Sequence, residues 1–256
     1  MPNPTILLVD ADSLLWRANY LKKENPEDTG FNTDFEDVKF KFDETLMYMS
    51  NQIEEDYGEA FNIEHTMLFL EGRGNYRKWF SREYKIKRKD RPKPPLLEPL
   101  RKWVVDRYPT FVSYNVETDD SLVATYKEWY GKGYELIICS MDKDIRTVPC
   151  VIWDYYYTRN ELIVVSEEEA MHNFWVMMLM GDAGDDVQGI KGIGDKKANS
   201  LFANCKSEFN YFCTTYKLYL KTYGIGKARY EFMKAYNLLR LQTKGVHTPS
   251  LDELIF

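Results

Sequence analysis

Short apolar segments that end at an acidic residue alternate along this chain with segments of helical periodicity. The acids at the ends of the apolar segments are Asp10, Glu71, Glu117 and Asp142. Strands that alternate with helices predict an α/β fold, in which a mostly parallel central sheet carries helices on both faces. Ligands gather at the carboxyl ends of strands in such sheets, so we expect these acids to lie close together.

Residue spacing places the predicted elements. Apolar runs predict strands over residues 6–10, 67–70, 110–116, 135–139, 150–154 and 161–165. Helical spacing predicts helices over residues 35–57, 97–108 and about 119–130, and a polar loop is expected over residues 24–34. Ser166 and Glu169 form a capping-box pattern at the start of a further helix. We expect an α/β core over residues 1–180 and a helical subdomain over residues 181–256.

Composition excludes two classes of protein. No apolar stretch is long enough to span a bilayer, and residues 6–9 are too short for a signal peptide. The four cysteines lack the spacing of a structural zinc site, which favours reduced thiols. We therefore expect a cytoplasmic protein without a membrane partner, and we expect it to be a monomer.

The charges are strongly segregated, although the net charge of the chain is −6. Residues 73–93 contain ten lysines or arginines and only two acids, Glu83 and Asp90. A charge run usually marks a solvated surface. Here aromatic residues alternate with the cations at roughly helical intervals: Tyr76, Trp79, Phe80 and Tyr84. This combination favours a mobile basic arch, over about residues 72–95, that stacks on unpaired bases and follows a single-stranded backbone.

Nine acids form the candidate metal site. They are Asp10, Glu71, Glu117, Asp119, Asp120, Asp142, Asp144, Asp182 and Asp185. If they converge, each like-charged pair at about 4 Å costs roughly 4 kcal/mol. Several such pairs approach a whole domain's stability of ~5–15 kcal/mol. Divalent cations would offset this repulsion, and oxygen-only ligands favour Mg²⁺ or Mn²⁺ over zinc.

Each acid taken alone is better explained as a solvated helix cap or a strand-end residue. Asp12, for example, is expected only to cap the first helix. The repeated placement of acids at strand ends favours metal binding for the set. Two pairs, Glu117 with Asp119 and Asp142 with Asp144, are two residues apart and would face one side of an extended backbone.

The segment from residue 181 to residue 198 combines acids with glycines. Asp182 and Asp185 are three residues apart, so on a helical turn they would point the same way and could share an ion. Three glycines then permit tight turns before a helix start: Gly189, Gly192 and Gly194. An acidic metal site followed by amides that can hold a phosphate indicates an enzyme acting on a phosphodiester. The alternative for the glycines is a connector between helices that binds no ligand.

In order along the chain, five motifs carry a family resemblance: LLVDADSLLWRA, LFLEGRG with YRKWFSREYKIKR, NVETDD, CSMDKD and MGDAGDDVQGIKGIGDKKA. This series resembles the bacteriophage and bacterial 5′-nucleases, meaning flap endonucleases, 5′–3′ exonucleases and phage ribonuclease H-like proteins. The resemblance covers nearly the whole chain. It implies a PIN-like nuclease core, a basic helical arch and a helix-hairpin-helix-type DNA-binding motif around residues 189–194.

The resemblance also implies site roles. One metal group would contain Asp10, Glu71, Glu117 and Asp119, with Asp120 close to both groups. The other would contain Asp142, Asp144, Asp182 and Asp185. Lys85 and Arg88 match a catalytic basic pair near the scissile phosphate. Tyr84 matches an aromatic residue that stacks on a terminal base, and Arg17 matches a residue that contacts the DNA. Gly192, Gly194, Lys196 and Lys197 match the hairpin that binds duplex phosphates, where K⁺ often lies.

Three positions depart from the family pattern. Glu71 stands where the family usually has Asp, and its extra methylene moves the carboxylate outward. Asp186 replaces a common Asn. Asp12 follows Ala11, which takes the place of a usual glycine.

The sequence thus predicts a two-metal, Mg²⁺-dependent 5′-nuclease, with Mn²⁺ as a substitute, acting on branched or 5′-ended DNA in replication and repair. RNA–DNA hybrids are a further expected substrate. A single-stranded-DNA-binding protein or a polymerase is an expected partner. The expected source is a phage, and the compartment is then the host cytoplasm. One alternative is a catalytically silent module that binds DNA junctions. Another is a toxin-like ribonuclease, which predicts a smaller chain without the glycine hairpin or the basic segment.

Overall fold

The computed structural model describes residues 3–21, 30–155 and 160–254. The central sheet consists of β1 (Pro4–Asp10), β2 (Asn62–Leu70), β3 (Thr110–Val112), β4 (Glu135–Cys139), β5 (Cys150–Asp154) and β6 (Glu161–Val165). The strand order is β3-β2-β1-β4-β5-β6. Neighbouring strands are parallel except β5 and β6, which are antiparallel. The predicted α/β fold with a mostly parallel sheet is confirmed. Most of the predicted loop over residues 24–34 lies outside the described residues.

Helices cover both faces of this sheet. The helices of the described residues, on the sheet and beyond it, are α1 (Ala11–Ala18), α2 (Phe35–Tyr57), α3 (Arg77–Phe80), α4 (Leu97–Arg107), α5 (Thr118–Trp129), α6 (Glu167–Met180), α7 (Asp195–Phe202), α8 (Glu208–Tyr223) and α9 (Ile225–Leu239). Alternate residues of β1 point to opposite faces. Leu7 and Val9 pack with α1, α2 and α4, whereas Ile6 and Leu8 pack with α5. This burial on both faces explains the continuous apolar run of β1.

The strand order reverses beside β1. The chain passes from β1 to β2 and β3 on one side, and it returns to β4, β5 and β6 on the other side. In open α/β sheets this reversal leaves a crevice at the carboxyl ends of the two central strands, where ligands bind. β1 ends at Asp10, and the adjacent β4 ends just before Ser140.

A third hydrophobic cluster joins α6 to α7, α8 and α9. Its largest buried side chains are aromatic: Trp175, Phe202, Tyr219 and Phe232. α6 begins with the predicted capping box, in which Ser166 and Glu169 bond each other's backbone N–H groups. Because α6 packs with the helices that follow it, the division of the chain at residue 180 stays a prediction.

Three predicted elements differ in the structure. The strand predicted over residues 110–116 ends at Val112, since Asn115 has a φ of 59° that an extended strand does not allow. The basic segment is not a helical arch: it holds only the four-residue α3 and a 3₁₀ turn over Ile86–Arg88. Asp182 and Asp185 do not lie on a helical turn but on a small hairpin formed by β7 (Gly181–Asp182) and β8 (Val187–Gln188).

None of the helices in the described part of the chain is both long and apolar enough to cross a membrane.

Candidate active site

A cleft of about 510 Å³ opens at the carboxyl ends of the central strands. Six acids from four parts of the chain line it: Asp10, Asp12, Glu71, Glu117, Asp119 and Asp142. The facing wall belongs to the basic segment and includes Lys85, Arg88, Arg91 and Lys93. The structure therefore brings together five of the nine predicted metal ligands, together with both predicted catalytic cations.

Asp10 lies at the end of β1 and is buried. Ser13 donates a hydrogen bond to Asp10 Oδ2 at 3.1 Å, and the Tyr155 hydroxyl donates to the Asp10 carbonyl at 3.0 Å. Burial, followed by the negative charge of Asp12, raises the pKa of Asp10 to about 7. Burial and the neighbouring acid thus outweigh the hydrogen bonds from Ser13, so the structure disfavours the charged form of Asp10.

Two further acids also have raised pKa values, although Lys85 lies near one of them and Lys143 near the other. Burial and the charges of Asp142 and Asp10 raise the pKa of Asp119 well above its ordinary value. Burial and the charges of Asp142 and Asp182 raise the pKa of Asp144 to about 7. Asp144 Oδ1 is buried without a hydrogen-bond partner. An unpartnered buried carboxylate oxygen is costly, and a bound cation would satisfy it.

Glu117 shows the opposite situation. It is the N-cap residue of α5, and its carboxylate accepts from Asn75 Nδ2 at 2.9 Å and forms an ion pair with Lys85. Arg77 Nη1 lies 3.4 Å from Glu117 Oε2. Burial alone would raise the pKa of Glu117, but the Lys85 and Arg77 charges outweigh it and lower that pKa.

The acids of the β7–β8 hairpin also pair with cations, and one of these, Lys85, is shared with Glu117. Asp182 Oδ1 accepts from the Gly184 N–H at 2.7 Å, and Lys143 Nζ lies 2.9 Å from Asp182 Oδ2. Burial opposes ionisation of Asp182, yet Lys143 lowers its pKa. Asp185 forms an ion pair with Arg88 at 2.5 Å. Lys85 Nζ, 3.4 Å from Asp185 Oδ2, connects this hairpin to Glu117.

Within the described ranges, no three acidic, histidine or cysteine side chains stand close enough to hold one ion as a group. Lysine and arginine side chains lie between the acids, as Lys85 does between Glu117 and Asp185. The donor set still fits a hard divalent cation. It contains only carboxylate oxygens, and burial together with the charges of neighbouring acids raises the pKa values of Asp10, Asp119 and Asp144.

Asp120 is not placed as a metal ligand, which corrects the prediction. Arg77 donates to both Asp120 oxygens, at 2.5 and 2.8 Å. The Glu117 and Gln242 N–H groups also donate to Asp120, at 3.0 and 2.7 Å. Asp120 is fully buried, so these four donors occupy the carboxylate. Arg77 in turn donates to the Leu238 and Arg240 carbonyls, which ties the basic segment to the end of α9.

Tyr84 is not placed as a stacking surface, which corrects a second prediction. The residue is only 2% exposed and packs in the cluster of the C-terminal helices. Its hydroxyl lies 3.0 Å from Glu117 Oε2 and 2.9 Å from Asp185 Oδ2. Burial, followed by these two carboxylates, raises the pKa of Tyr84. Its observed position links the two acidic groups.

Sequence reasoning missed Asp12 as a site residue. Asp12 Oδ2 accepts from the Glu71 N–H at 2.5 Å and from the Thr118 hydroxyl at 2.8 Å. Its Oδ1 lies 3.2 Å from Arg101 Nη1. Asp12 therefore joins α1, the end of β2, α5 and α4. The available signal was its two-residue spacing from Asp10, the same spacing that singled out the two other pairs.

Two of the three family departures, Glu71 and Asp186, have further structural counterparts. Glu71 is exposed at the rim of the cleft, where partial loss of hydration of its carboxylate, followed by the Asp12 charge, raises its pKa. Asp186 has a φ of 59°, a conformation that Asp tolerates better than most residues. It forms an ion pair with Lys87 at 2.5 Å and so fastens the basic segment to the β7–β8 hairpin.

The glycine segment forms a tight connection into α7. A side chain at Gly189 would place its Cβ 2.0 Å from the Met180 backbone, so only glycine fits there. Gly192 has a φ of 79°, and Gly194 is the N-cap of α7. Lys196 and Lys197 are exposed in the first turn of this helix. Arg17 lies in the last turn of α1 and is partly buried.

No family model matches the chain. The chain is 27% identical over 219 residues to DNA polymerase I of Borreliella burgdorferi, a match that covers 79% of this chain and 23% of that protein. It is 25% identical over 218 residues to a 5′–3′ exonuclease of Buchnera aphidicola subsp. Schizaphis graminum, covering 80% of this chain and 73% of that protein. The chain thus spans 23% of the first relative's length and most of the second's.

Among solved structures, the fold is similar to that of the bacteriophage T5 flap endonuclease in a pseudo-enzyme–product complex with DNA and metal ions. The TM-score is 0.59 at 14% identity, and the match covers 92% of this chain and 99% of that one. At this identity the match shows a shared fold. The predicted resemblance to bacterial and phage 5′-nucleases is confirmed by these sequence and structure matches.

Proposed function

We propose that this protein is a metal-dependent, structure-specific 5′-nuclease that hydrolyses phosphodiesters of branched or 5′-ended DNA. The observation that carries the proposal is the cleft itself. Strand-end acids from four parts of the chain face Lys85 and Arg88 across the crevice where this fold binds ligands. The similarity to a 5′–3′ exonuclease and to a flap endonuclease supports the same conclusion.

The carboxylates gathered around the cleft would hold the metal ions. Burial and neighbouring acids raise the pKa values of Asp10, Asp119 and Asp144, and the charge of Asp142 contributes to all three shifts. Glu71, Glu117, Asp182 and Asp185 are further candidates. A pair of bound Mg²⁺ or Mn²⁺ ions would supply an activated water near neutral pH and charge neutralisation for the departing oxygen. We extend the proposal to K⁺ at the glycine segment, where Gly192 and Gly194 form the turn.

Lys85 and Arg88 would bind the scissile phosphate. Both line the acidic cleft, and both pair with acids in it, so their positive charges are already oriented there. Fixed charges aimed at a developing negative charge stabilise a transition state without reorganisation. On substrate binding, the phosphate would take the place of Glu117 and Asp185 as the partner of these cations.

The glycine segment would bind the duplex part of the substrate. The exposed Lys196 and Lys197 at the start of α7 offer positive charge to phosphates without contacting base edges. Lys196→Ala should weaken binding a few-fold, by similar factors for unrelated sequences, and should lower the salt slope by about 1. Fluorescence anisotropy at several salt concentrations measures both. A loss confined to one sequence would contradict this role.

The biological setting follows from the proposed chemistry. Hydrolysis at a 5′ branch suits primer or flap removal in replication and repair, by a cytoplasmic protein that acts in the host cytoplasm if a phage encodes it. RNA–DNA hybrids extend the proposed substrates, and a single-stranded-DNA-binding protein or a polymerase is a proposed partner. We also propose that residues 181–256 form the DNA-binding subdomain.

Cleavage of labelled 5′-flap, nicked, blunt and RNA–DNA hybrid substrates tests the proposal. We expect cleavage near the flap junction in Mg²⁺ or Mn²⁺, and none in EDTA. Binding to the flap without cleavage in either metal would instead support a silent junction-binding module. Absence of both binding and cleavage would contradict the proposed function.

A further inference from the structure

Lys143 extends into the acidic group from a position between two of the predicted metal ligands. It follows Asp142 and precedes Asp144, at the start of the 3₁₀ turn over Lys143–Thr147. Its Nζ atom lies 2.9 Å from Oδ2 of Asp182, which belongs to the β7–β8 hairpin. Lys143 therefore joins the acids that follow β4 to an acid of the hairpin, although these parts of the chain are distant in sequence.

The two oxygens of the Asp182 carboxylate have different partners. Oδ1 accepts hydrogen bonds from the backbone N–H groups of Gly184 and Asp185, at 2.7 and 3.3 Å. Oδ2 has Lys143 as its partner in the described part of the chain. The Asp182 side chain is only 8% exposed, so water has little access to it. The hairpin backbone thus fixes Asp182, and the oxygen that remains for a cation contacts a lysine.

Two more carboxylates lie within electrostatic reach of the same ammonium group. Burial opposes the charged form of Lys143, yet a hydrogen bond to Asp182 and the charges of the surrounding acids raise its pKa. Those acids are Asp182, Asp144 and Asp142. Asp144 Oδ1 is buried without a hydrogen-bond partner. One positive charge therefore lies among three carboxylates, whereas a divalent cation would bring two charges.

Lys143 is placed so that it can give way to such an ion. Its side chain is 70% exposed, and Asp182 is its one ion-pair partner among the described residues. Lys85, in contrast, is 20% exposed and pairs with both Glu117 and Asp185. A lysine ammonium lies on a flexible four-carbon stem, so it can turn into solvent without a backbone change. Because an ammonium group and a divalent cation repel each other, they compete for Asp182 Oδ2.

We propose, relying on the proposed function only for its metal site, that Lys143 is a built-in counter-ion that competes with the divalent cation for Asp182. It is a positioning residue, since it acts through the Asp182 carboxylate. In the metal-free protein its ammonium holds this carboxylate toward the site, and in the metal-bound protein the ammonium turns to solvent. Lys143 thereby weakens metal binding and sets the ion concentration at which the site fills.

Calorimetric titration with Mn²⁺ or Mg²⁺ in the absence of DNA tests this inference. Lys143→Met removes the charge and keeps a side chain of similar length. It should tighten metal binding by about 5- to 50-fold, because a like charge beside the ion is lost. Lys143→Arg keeps the charge and should bind the ion within about threefold of the wild type. An ordinary surface ion pair predicts no change in either variant, and a purely structural support of Asp182 predicts weaker binding in Lys143→Met.

Lys132→Met is the matched control. Lys132 also pairs with one acid, Glu128, and lies outside the cleft lining. This variant should bind Mn²⁺ and Mg²⁺ as the wild type does. Tighter binding in Lys132→Met as well as in Lys143→Met would overturn the inference, because the effect would then follow from net charge alone.

NMR of the wild type follows the lysine itself. The Cε resonance of Lys143, identified by its loss in Lys143→Arg, should shift on addition of Mg²⁺ with the midpoint found by calorimetry. A resonance that saturating Mg²⁺ leaves in place would overturn the inference, as would unchanged or weaker metal binding in Lys143→Met.

The outcomes separate this inference from the nuclease proposal. If Lys143→Met binds the ion more tightly but the wild type cleaves no substrate, the nuclease proposal fails and the counter-ion role stands. If the wild type cleaves a 5′ flap but Lys143→Met binds the ion no more tightly, the counter-ion role fails and the nuclease proposal stands.

Discussion

The two sides of the acidic cleft compensate their charge differently. On the side of β1 and β4, burial and neighbouring acids raise the pKa values of Asp10, Asp119 and Asp144. On the side of the basic segment, Lys85 and Arg77 outweigh the effect of burial and lower the pKa of Glu117. Lys143, which follows β4, pairs with Asp182 and lowers its pKa in the same way. Asp185 is intermediate, since burial raises its pKa despite its contacts with Lys85 and Arg88.

This difference shows where the chain supplies positive charge to its acids and where it does not. The basic segment already provides cations that can move from a carboxylate to a phosphate. The opposite side keeps acids whose repulsion the protein does not relieve, and such clusters of perturbed pKa values mark functional sites. An added divalent cation would relieve that repulsion, so the comparison between the two sides predicts different effects of substitution.

The largest effect is expected from removing an acid on either side. Asp144→Ala and Asp182→Ala should each abolish flap cleavage in Mg²⁺ while DNA binding is largely retained, because a metal ligand is lost. Gel-based cleavage and anisotropy in EDTA measure the two properties. Normal turnover in either variant would remove that residue from the site.

The next effect concerns the cation side. Lys85→Ala should slow the single-turnover cleavage rate by about 10²–10³, because a preorganised charge on the phosphate is lost. DNA affinity should fall far less. Lys87→Ala is the matched control, since Lys87 pairs with Asp186 outside the cleft lining. A change in affinity alone would contradict the role assigned to Lys85.

A smaller effect is expected from Asp12. Asp12→Asn should raise the Mg²⁺ concentration needed for half-maximal cleavage by about 10–100-fold, because residues that position ligands tune metal affinity to this extent. The rate at saturating Mg²⁺ should recover most of its wild-type value. A cleavage rate that stays low at saturating Mg²⁺ would contradict the prediction that Asp12 acts by positioning Glu71 and Thr118.

The smallest effect is on stability and depends on pH. The folded-state pKa of Asp10 is about 7 against an ordinary 3.8, so the folded protein binds the extra proton between these values. The free energy of unfolding of the metal-free protein should therefore fall as pH rises from about 4 to about 7. Asp10→Asn should flatten this dependence and stabilise the protein by about 1–4 kcal/mol at pH 7. Urea unfolding in EDTA at several pH values measures it, and an unchanged slope would contradict the assigned pKa.

Local pattern predicted the sheet and its acidic edge well. The apolar runs of β1 and β4 are visible because strands buried on both faces are continuously apolar, and the acids that follow them lie at the reversal of strand order. Asp10 and Asp142 follow these two strands, and both line the cleft together with Glu117, which follows the edge strand β3. Asp182 and Asp185 were expected on a helical turn. Their hairpin was missed because Gly181 and Gly189 let its two short strands approach closely backbone to backbone, which helical spacing does not report.

The partners of Arg77 and Tyr84 could not be predicted in the same way. Arg77 pairs with Asp120 because its guanidinium is held in place by the carbonyls of Leu238 and Arg240 at the end of α9. Tyr84 is buried because the C-terminal helices cover it. Both outcomes depend on contacts across more than 100 residues of sequence, for which local spacing carries no signal.

Calorimetric titration of the purified protein with Mn²⁺ or Mg²⁺ tests the central claim most directly. We predict saturable binding that is lost or strongly weakened in Asp119→Ala, whose carboxylate lies on the uncompensated side of the cleft. Wild-type protein that takes up neither ion, or an Asp119→Ala variant that binds both as tightly as the wild type, would contradict it.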